Sequence, residues 1–241
     1  MNFKEYITES INDKGLFKSI FMGGTSGSGK TFTISKINNP QIQPRLVSID
    51  KIHEFMSTKY SIDISDYTTF NRIEKEIKGV FKEKLTLYIN SMLPLWIDAT
   101  SSQLAYTLRR VGILEYFGYD VAMVWVTTDI DTAIARAKQR QRKVPESFIR
   151  KTHELGEANK VFYKTKFPGH FFEARNNEGE LNNEAINKLY LATSKYFMSP
   201  LANPVGKRVI EQLRASNEPY LVPSIFSKEQ LKTALSNWYN T

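Results

Sequence analysis

The chain has 241 residues, a formal net charge of +8 and no cysteine. Apolar residues make up 41% of it and aromatic residues 12%, which suffices for a hydrophobic core and excludes wholesale disorder. The lack of cysteine excludes disulfides and thiolate metal sites, and no apolar run approaches the roughly 20 residues of a membrane span. We therefore expect a cytoplasmic protein without a membrane partner. The positive charge fits either a solvated surface or a polyanionic partner such as nucleic acid.

Short apolar runs alternate with longer amphipathic segments, which is typical of a parallel sheet covered by helices. The predicted strands are 18–22, 45–49, 94–97, 121–126 and 170–173. The predicted helices are about 29–37, 66–90, 102–117, 130 into the 160s with an interruption near Pro145, and 184–197. This order predicts an α/β fold, a three-layer sandwich around a mostly parallel sheet of about five strands.

The last forty-odd residues differ in character from the rest. Residues 199–206 contain two prolines and a glycine and are predicted to be a linker, followed by short helices at 209–213 and 228–238. We therefore divide the chain into a domain at 1–198 and a C-terminal arm at 199–241. The arm mixes basic and aromatic side chains, which can bind single-stranded nucleic acid or dock on the domain. These side chains are Lys207, Arg208, Arg214, Tyr220, Phe226, Trp238 and Tyr239.

A glycine-rich motif connects the first predicted strand to the first predicted helix. It matches G-x-x-x-x-G-K-[ST] at every fixed position. Its residues are Gly24, Thr25, Ser26, Gly27, Ser28, Gly29, Lys30 and Thr31. Glycines let backbone N–H groups surround phosphates, Lys30 supplies a cation for the β- and γ-phosphates, and the Thr31 hydroxyl can bind Mg²⁺. The motif predicts a P-loop that binds a nucleoside triphosphate and leaves motor, GTPase and kinase open.

Two aspartates follow predicted strands. Asp50 follows Val47-Ser48-Ile49, and Asp98 follows Leu95-Trp96-Ile97. Ligands of open α/β sheets bind beyond the carboxyl ends of the strands, so both carboxylates are expected in the crevice of the P-loop. We assign Asp50 as the base that takes the proton of an acceptor hydroxyl and Asp98 as the carboxylate on the metal side. Either aspartate could instead cap the next helix.

A strongly basic segment follows the fourth predicted strand. Residues 136–151 include seven basic side chains and one acidic side chain. Arg136 and Arg140 are four residues apart and would share one face of a helix. Placed over a γ-phosphate, their guanidinium groups would neutralise charge and exclude water, as a kinase requires. We therefore predict an arginine lid within about 130–160.

The order of GGTSGSGKT, VSIDKIH, LWIDATSS and DTAIARAKQRQRKVPESFI resembles the polynucleotide-kinase and zeta-toxin-like group of P-loop kinases over about residues 18–155. The resemblance implies a P-loop NTPase fold with ATP and Mg²⁺ as cofactors. It makes Lys30 and Thr31 the phosphate and Mg²⁺ residues, Asp50 the base, and Arg136 and Arg140 the lid arginines.

The acceptor is less defined than the nucleotide. Many 5′-kinases of this group carry an arginine three residues after the base, where this chain has His53, which we assign to the substrate site with Asp50. We expect transfer of the γ-phosphate to a hydroxyl of a nucleic acid or nucleotide, either a 5′-hydroxyl end or a hydroxymethylated base in DNA. The alternatives are a small acceptor such as a nucleotide sugar, and a non-catalytic nucleotide-dependent binding or virion protein.

The first ten residues, Met-Asn-Phe-Lys-Glu-Tyr-Ile-Thr-Glu-Ser, resemble the start of many tailed-phage proteins. This resemblance implies a bacteriophage origin and a location in the host cytoplasm. The peptide could direct packaging into the phage head or form a first helix on the domain.

Overall fold

The computed structural model describes residues 13–61, 67–139, 144–177, 180–215 and 225–238, and for 67–73 it describes the backbone alone. The opening peptide at 1–10 therefore lies outside the described residues, as do Arg140, Tyr220 and Tyr239. No helix within the described ranges is both long enough and apolar enough to cross a membrane.

Five parallel strands form one sheet in the order β2-β3-β1-β4-β5. The strands are β1 (Lys18–Gly23), β2 (Arg45–Val47), β3 (Leu95–Asp98), β4 (Asp120–Thr127) and β5 (Phe171–Arg175). In the central register, Phe21 of β1 lies between Ile97 of β3 and Met123 of β4. All carboxyl ends therefore lie at one edge of the sheet, and the predicted fold class is confirmed.

Helices cover both faces of the sheet. The described residues form α1 (Lys30–Ile37), α2 (Ile49–Tyr60), α3 (Tyr67–Asn90), α4 (Leu104–Tyr116), α5 (Ile130–Lys138), α6 (Glu146–Lys166), α7 (Asn183–Met198), α8 (Pro204–Ala215) and α9 (Lys228–Ser236). Alternate strand residues enter two separate cores, as the two-residue period of a strand dictates. Phe21 packs in a core with side chains of α3, α4 and α9, whereas Ile20 and Met22 pack with α1 and α7.

The second strand was predicted at 45–49, and its C-terminal end is wrong by two residues. β2 stops at Val47, and α2, which we did not predict, begins at Ile49. Ser48 has extended backbone angles and its hydroxyl accepts a hydrogen bond from the Lys51 amide, so it caps the helix. Asp50 therefore lies in the first turn of α2 rather than at a strand end.

The predicted linker at 199–206 is also too long, because α8 begins at Pro204. Proline suits a first helical position, where its missing N–H costs no hydrogen bond. The Asn203 side chain accepts a hydrogen bond from the Val205 amide at 2.9 Å and so fixes the start of α8.

The C-terminal arm contributes to the core of the domain. Leu231, Leu235 and Trp238 are buried in the cluster that contains α3 and α4, and the rings of Phe226 and Phe117 lie 4.8 Å apart. Of the two alternatives for the aromatic side chains of the arm, docking on the domain is therefore observed for Phe226 and Trp238.

A nearly buried ion pair anchors the connection from α7 to α8. The Lys18 ammonium donates to Asp120 Oδ2 at 2.7 Å, and the two side chains are 3% and 13% exposed. Asp120 also accepts from the backbone amides of Ala202 and Asn203, each at 2.8 Å. One carboxylate thus joins the start of β4 to the segment that leads into α8.

Replacing Asp120 with alanine should lower the free energy of unfolding by about 3–5 kcal/mol, because it leaves a buried ammonium without its counter-charge. Urea denaturation of the two proteins measures this difference. Asp131→Ala is the matched control, since that side chain is 89% exposed and its removal should change the free energy of unfolding by less than about 0.5 kcal/mol. Equal losses in the two variants would contradict a structural role for the Lys18–Asp120 pair.

Candidate functional site

The P-loop connects β1 to α1 at the carboxyl edge of the sheet. Gly24, Gly27 and Gly29 have φ values of 129°, 87° and 89°, in the region that disfavours side chains. A Cβ at Gly27 would overlap the carbonyl of Ala133, and one at Gly29 would overlap the Asn176 side chain. The loop conformation therefore requires glycine at these three positions, of which the sequence motif fixes Gly24 and Gly29.

Lys30 is buried at the first position of α1. Its ammonium donates to the carbonyls of Gly24 at 2.9 Å and Thr25 at 3.0 Å. The cation is thus held over the turn of the loop, beside the amides at the start of the helix. This is the position from which a lysine can reach the terminal phosphates of a nucleotide.

Three side-chain oxygens meet beside the P-loop. Asp98 Oδ2 accepts from the Thr31 hydroxyl at 3.4 Å and from the Ser48 hydroxyl at 3.1 Å. Among the described residues, His, Cys, Asp and Glu form no group of three that could hold a metal. A site of one carboxylate and hydroxyl oxygens fits Mg²⁺, which keeps several waters and binds through one or two carboxylates together with phosphates. Ser48 was not among our predicted site residues. The local signal that marks it is a serine directly before the first residue of a helix, the usual place of an N-cap.

Asp50 and His53 lie three residues apart on α2 and therefore share one face of the helix. Both side chains line the same cleft as Lys30 and Asp98. The structure thus brings together the residues that the sequence assigned to nucleotide and acceptor, although Asp50 reaches the cleft from a helix.

The cleft has a volume of about 750 Å³, within the range of small-molecule sites. Its walls also include side chains from α4 and from the start of α6, among them Tyr106, Arg110 and Phe148. Arg110 was not among our predicted site residues, because a single arginine within an amphipathic helix has no distinguishing local signal.

Helix α6 packs over the P-loop and over the loop between β3 and α4. The Thr25 hydroxyl donates to the Ile149 carbonyl at 3.3 Å. Further along α6, Asn159 donates to the Ser102 carbonyl and the Tyr163 hydroxyl donates to the Ser101 carbonyl, both at 2.8 Å. Burial raises the pKa of the Tyr163 hydroxyl above its ordinary value.

Arg136 belongs to α5 and contacts the connection between β5 and α7, next to the P-loop. Its Nη1 donates to the Asn176 carbonyl at 2.7 Å, and the Asn176 side chain donates to the Ser28 carbonyl at 2.7 Å. Arg136 thus contacts the loop through Asn176, a residue that we did not predict. α5 ends at Lys138, and Arg140 lies outside the described residues. A helix face shared by Arg136 and Arg140 therefore stays a prediction.

A protein family described as an AAA domain matches residues 20–164. This range is more than half of the chain and contains the P-loop, Asp50, Asp98 and Arg136. The chain belongs to the AAA domain family. The match ends within α6, so β5 and the three last helices lie beyond the AAA domain family match. No curated protein sequence shows significant similarity to the chain.

Solved structures share the fold of this AAA domain protein at low sequence identity. A candidate kinase from Chloroflexus aurantiacus has a TM-score of 0.54 and 13% identity, over 75% of this chain and 98% of that chain. The AvrRxo1-ORF1:-ORF2 structure with ATP has a TM-score of 0.57 and 14% identity, over 96% of this chain and 79% of that chain. The second similarity extends over nearly the whole chain, well beyond the AAA domain family match.

Proposed function

We propose that the chain is an ATP-dependent kinase that transfers the γ-phosphate to a hydroxyl group of a nucleotide or nucleic acid. The observation that carries this proposal is that one cleft is lined by Lys30 and Thr31 of the P-loop together with Asp98 and Asp50. A protein that only bound a nucleotide would not need a second carboxylate in a cleft large enough for an acceptor. The shared fold with a candidate kinase and with an ATP-containing structure is compatible with this function.

The nucleotide side of the proposed reaction uses the P-loop. Residues Gly24 to Thr31 bind the triphosphate through backbone amides, and Lys30 exchanges its carbonyl acceptors for phosphate oxygens. Thr31 and Asp98, with Ser48 holding the Asp98 carboxylate, would bind Mg²⁺. When bound, the ion neutralises charge on the β- and γ-phosphates.

The acceptor side uses Asp50 and His53 of α2. The Asp50 carboxylate orients the acceptor hydroxyl and takes its proton as the oxygen attacks the γ-phosphorus, while the bond from the γ-phosphorus to the β,γ-bridging oxygen breaks and ADP leaves. His53 lies one helical turn further along the same wall and contacts the acceptor. α6 covers the P-loop, and Arg136 and Arg140 of the lid neutralise the transferred phosphate and exclude water, which would otherwise hydrolyse ATP.

A panel of acceptors tests this proposal. The protein, Mg²⁺ and γ-labelled ATP are combined with 5′-hydroxyl DNA and RNA, hydroxymethyluracil-containing DNA, nucleosides, nucleotides and UDP-sugars. Label in nucleic acid or nucleotide that disappears with Lys30→Ala supports the proposal. Label in UDP-sugars alone would replace it with a small-acceptor kinase. Binding of ATP without label in any acceptor would favour the nucleotide-dependent binding protein.

The salt dependence of the reaction separates a polymer from a small acceptor. Affinity for nucleic acid should fall steeply between about 50 and 200 mM salt, because phosphate contacts release counterions. The Michaelis constant for a mononucleotide or a sugar nucleotide should change little over that range. A polymer acceptor with a salt-independent Michaelis constant would argue against binding through the basic surface.

A further inference from the structure

Arg110 is a cationic side chain on the part of the cleft wall that α4 forms. It lines the cleft together with Tyr106, one turn earlier on α4. Arg110 is six residues into α4, so about 9 Å of helix separates it from the end of the loop that follows Asp98. Arg110 and Asp50 therefore line the cleft from different helices, α4 and α2.

The contacts of the Arg110 guanidinium include two aromatic rings and a hydrogen bond to a backbone carbonyl. Its central carbon lies 4.4 Å from the Tyr106 ring centroid and 5.4 Å from that of Trp238. Its Nε donates to the Trp238 carbonyl at 3.1 Å. A guanidinium stacked on rings and fixed through Nε is preorganised, so it loses less rotamer entropy when it binds a ligand.

Trp238 connects this side chain to the C-terminal helix. The indole follows α9, is 1% exposed and packs with its ring centroid 6.1 Å from that of Phe81 of α3. Because Trp238 is fixed in the core, the guanidinium resting on it is fixed relative to the sheet. The residue that orients Arg110 thus lies more than seventy residues beyond the end of the AAA domain family match.

We propose that Arg110, held between Tyr106 and Trp238, binds a phosphate group of the acceptor, and that the C-terminal helix positions it for this role. This inference rests on the proposed kinase function and narrows its acceptor to one that carries a phosphate besides the reacting hydroxyl. A planar guanidinium matches phosphate geometry and can bind it in a bidentate manner.

Among the described residues, the acidic side chains that line the cleft are Asp50, Glu54 and Asp98. Glu54 forms an ion pair with Lys51 at 2.7 Å, both on α2. Asp98 accepts from the Thr31 and Ser48 hydroxyls on the P-loop side. Asp50 lies on α2, so an acceptor between α2 and α4 can direct its hydroxyl to Asp50 and its phosphate to Arg110.

Binding measurements with matched ligands test the phosphate site without requiring turnover. The full chain with bound ADP and Mg²⁺ is titrated with four nucleoside 3′-monophosphates, with the corresponding nucleosides, and with a short 5′-hydroxyl oligonucleotide. We expect at least one monophosphate to bind about 10-fold or more tightly than its nucleoside, as a charge-assisted hydrogen bond predicts. Arg110→Gln should abolish this preference and leave the nucleoside affinity unchanged.

Three further variants distinguish ligand binding from a structural role. Arg109→Gln removes the same charge from an exposed neighbour on α4 and should keep the preference for phosphate. Trp238→Leu keeps an apolar side chain but removes the aromatic ring, so it should weaken monophosphate binding several-fold more than nucleoside binding. Trp238→Phe should restore most of the preference. Thermal denaturation of each variant shows whether it is folded.

The outcomes separate this proposal from the kinase function. A preference that persists in Arg110→Gln, or monophosphates that bind no better than nucleosides, would overturn the phosphate site even if the protein transfers phosphate. A preference that Arg110→Gln abolishes supports the site even if no acceptor is phosphorylated. Tighter binding of the oligonucleotide than of every monophosphate, also lost in Arg110→Gln, identifies the phosphate as part of a polymer.

Discussion

Replacing Lys30 with methionine should lower the rate of phosphotransfer by about 10²–10³-fold or more, because the reaction loses a positioned cation at the site of developing charge. Lys30 is buried, and its ammonium is held over the P-loop by the Gly24 and Thr25 carbonyls. No other lysine or arginine within the described residues lies in the P-loop. Steady-state transfer of labelled γ-phosphate measures the rate, and calorimetric titration measures ATP affinity.

Lys36→Met is the matched control for this experiment. Lys36 lies on the same helix, α1, and its side chain is exposed with the ammonium 5.4 Å from the Phe32 ring centroid. The substitution removes the same charge without touching the cleft, so transfer should remain within about twofold of the original rate. Full activity in the Lys30 variant, or an equal loss in both variants, would contradict the assigned role of Lys30.

Asp50→Asn should lower the turnover number by about 10²–10⁴-fold, the usual contribution of a positioned general base, while ATP affinity stays unchanged. Asparagine keeps the shape of the side chain and its place in the first turn of α2, but it cannot accept the hydroxyl proton. The structural basis is that Asp50 lines the cleft from α2, whereas Thr31 and Asp98 are the candidate Mg²⁺ ligands and the Ser48 hydroxyl holds the Asp98 carboxylate.

Asp131→Asn controls for the change in charge, since the Asp131 side chain is 89% exposed on α5. Asp98→Asn provides the contrast on the metal side. It should raise the Mg²⁺ concentration needed for half-maximal rate, a change that Asp50→Asn should not produce. If Asp50→Asn left the turnover number unchanged, Asp50 would not be the base, and the loop after β3 would be the next place to search.

The P-loop and the strands were predictable because their signals are local. Glycines at positions with positive φ, a lysine and a hydroxyl at a helix start leave few alternatives for residues 24–31. The apolar run at 121–126 similarly specifies a buried parallel strand, and β4 extends it by one residue at each end. The end of β2 was predicted wrongly because Ile49 continues an apolar pattern, whereas Ser48 caps α2 and ends the strand.

The sequence by itself determined the fold class, the P-loop and the place of Asp98 at the end of β3, because short-range patterns and strand ends specify them. Only the tertiary structure decided which further side chains join Lys30, Asp50 and Asp98 at the cleft. It placed Ser48 on Asp98, joined Asn176 to Ser28 across the sheet edge, and brought Trp238 onto Arg110. These contacts join residues 50, 148 and 128 positions apart. Packing of the helices and the parallel sheet creates them, and no local pattern in the chain encodes such distances.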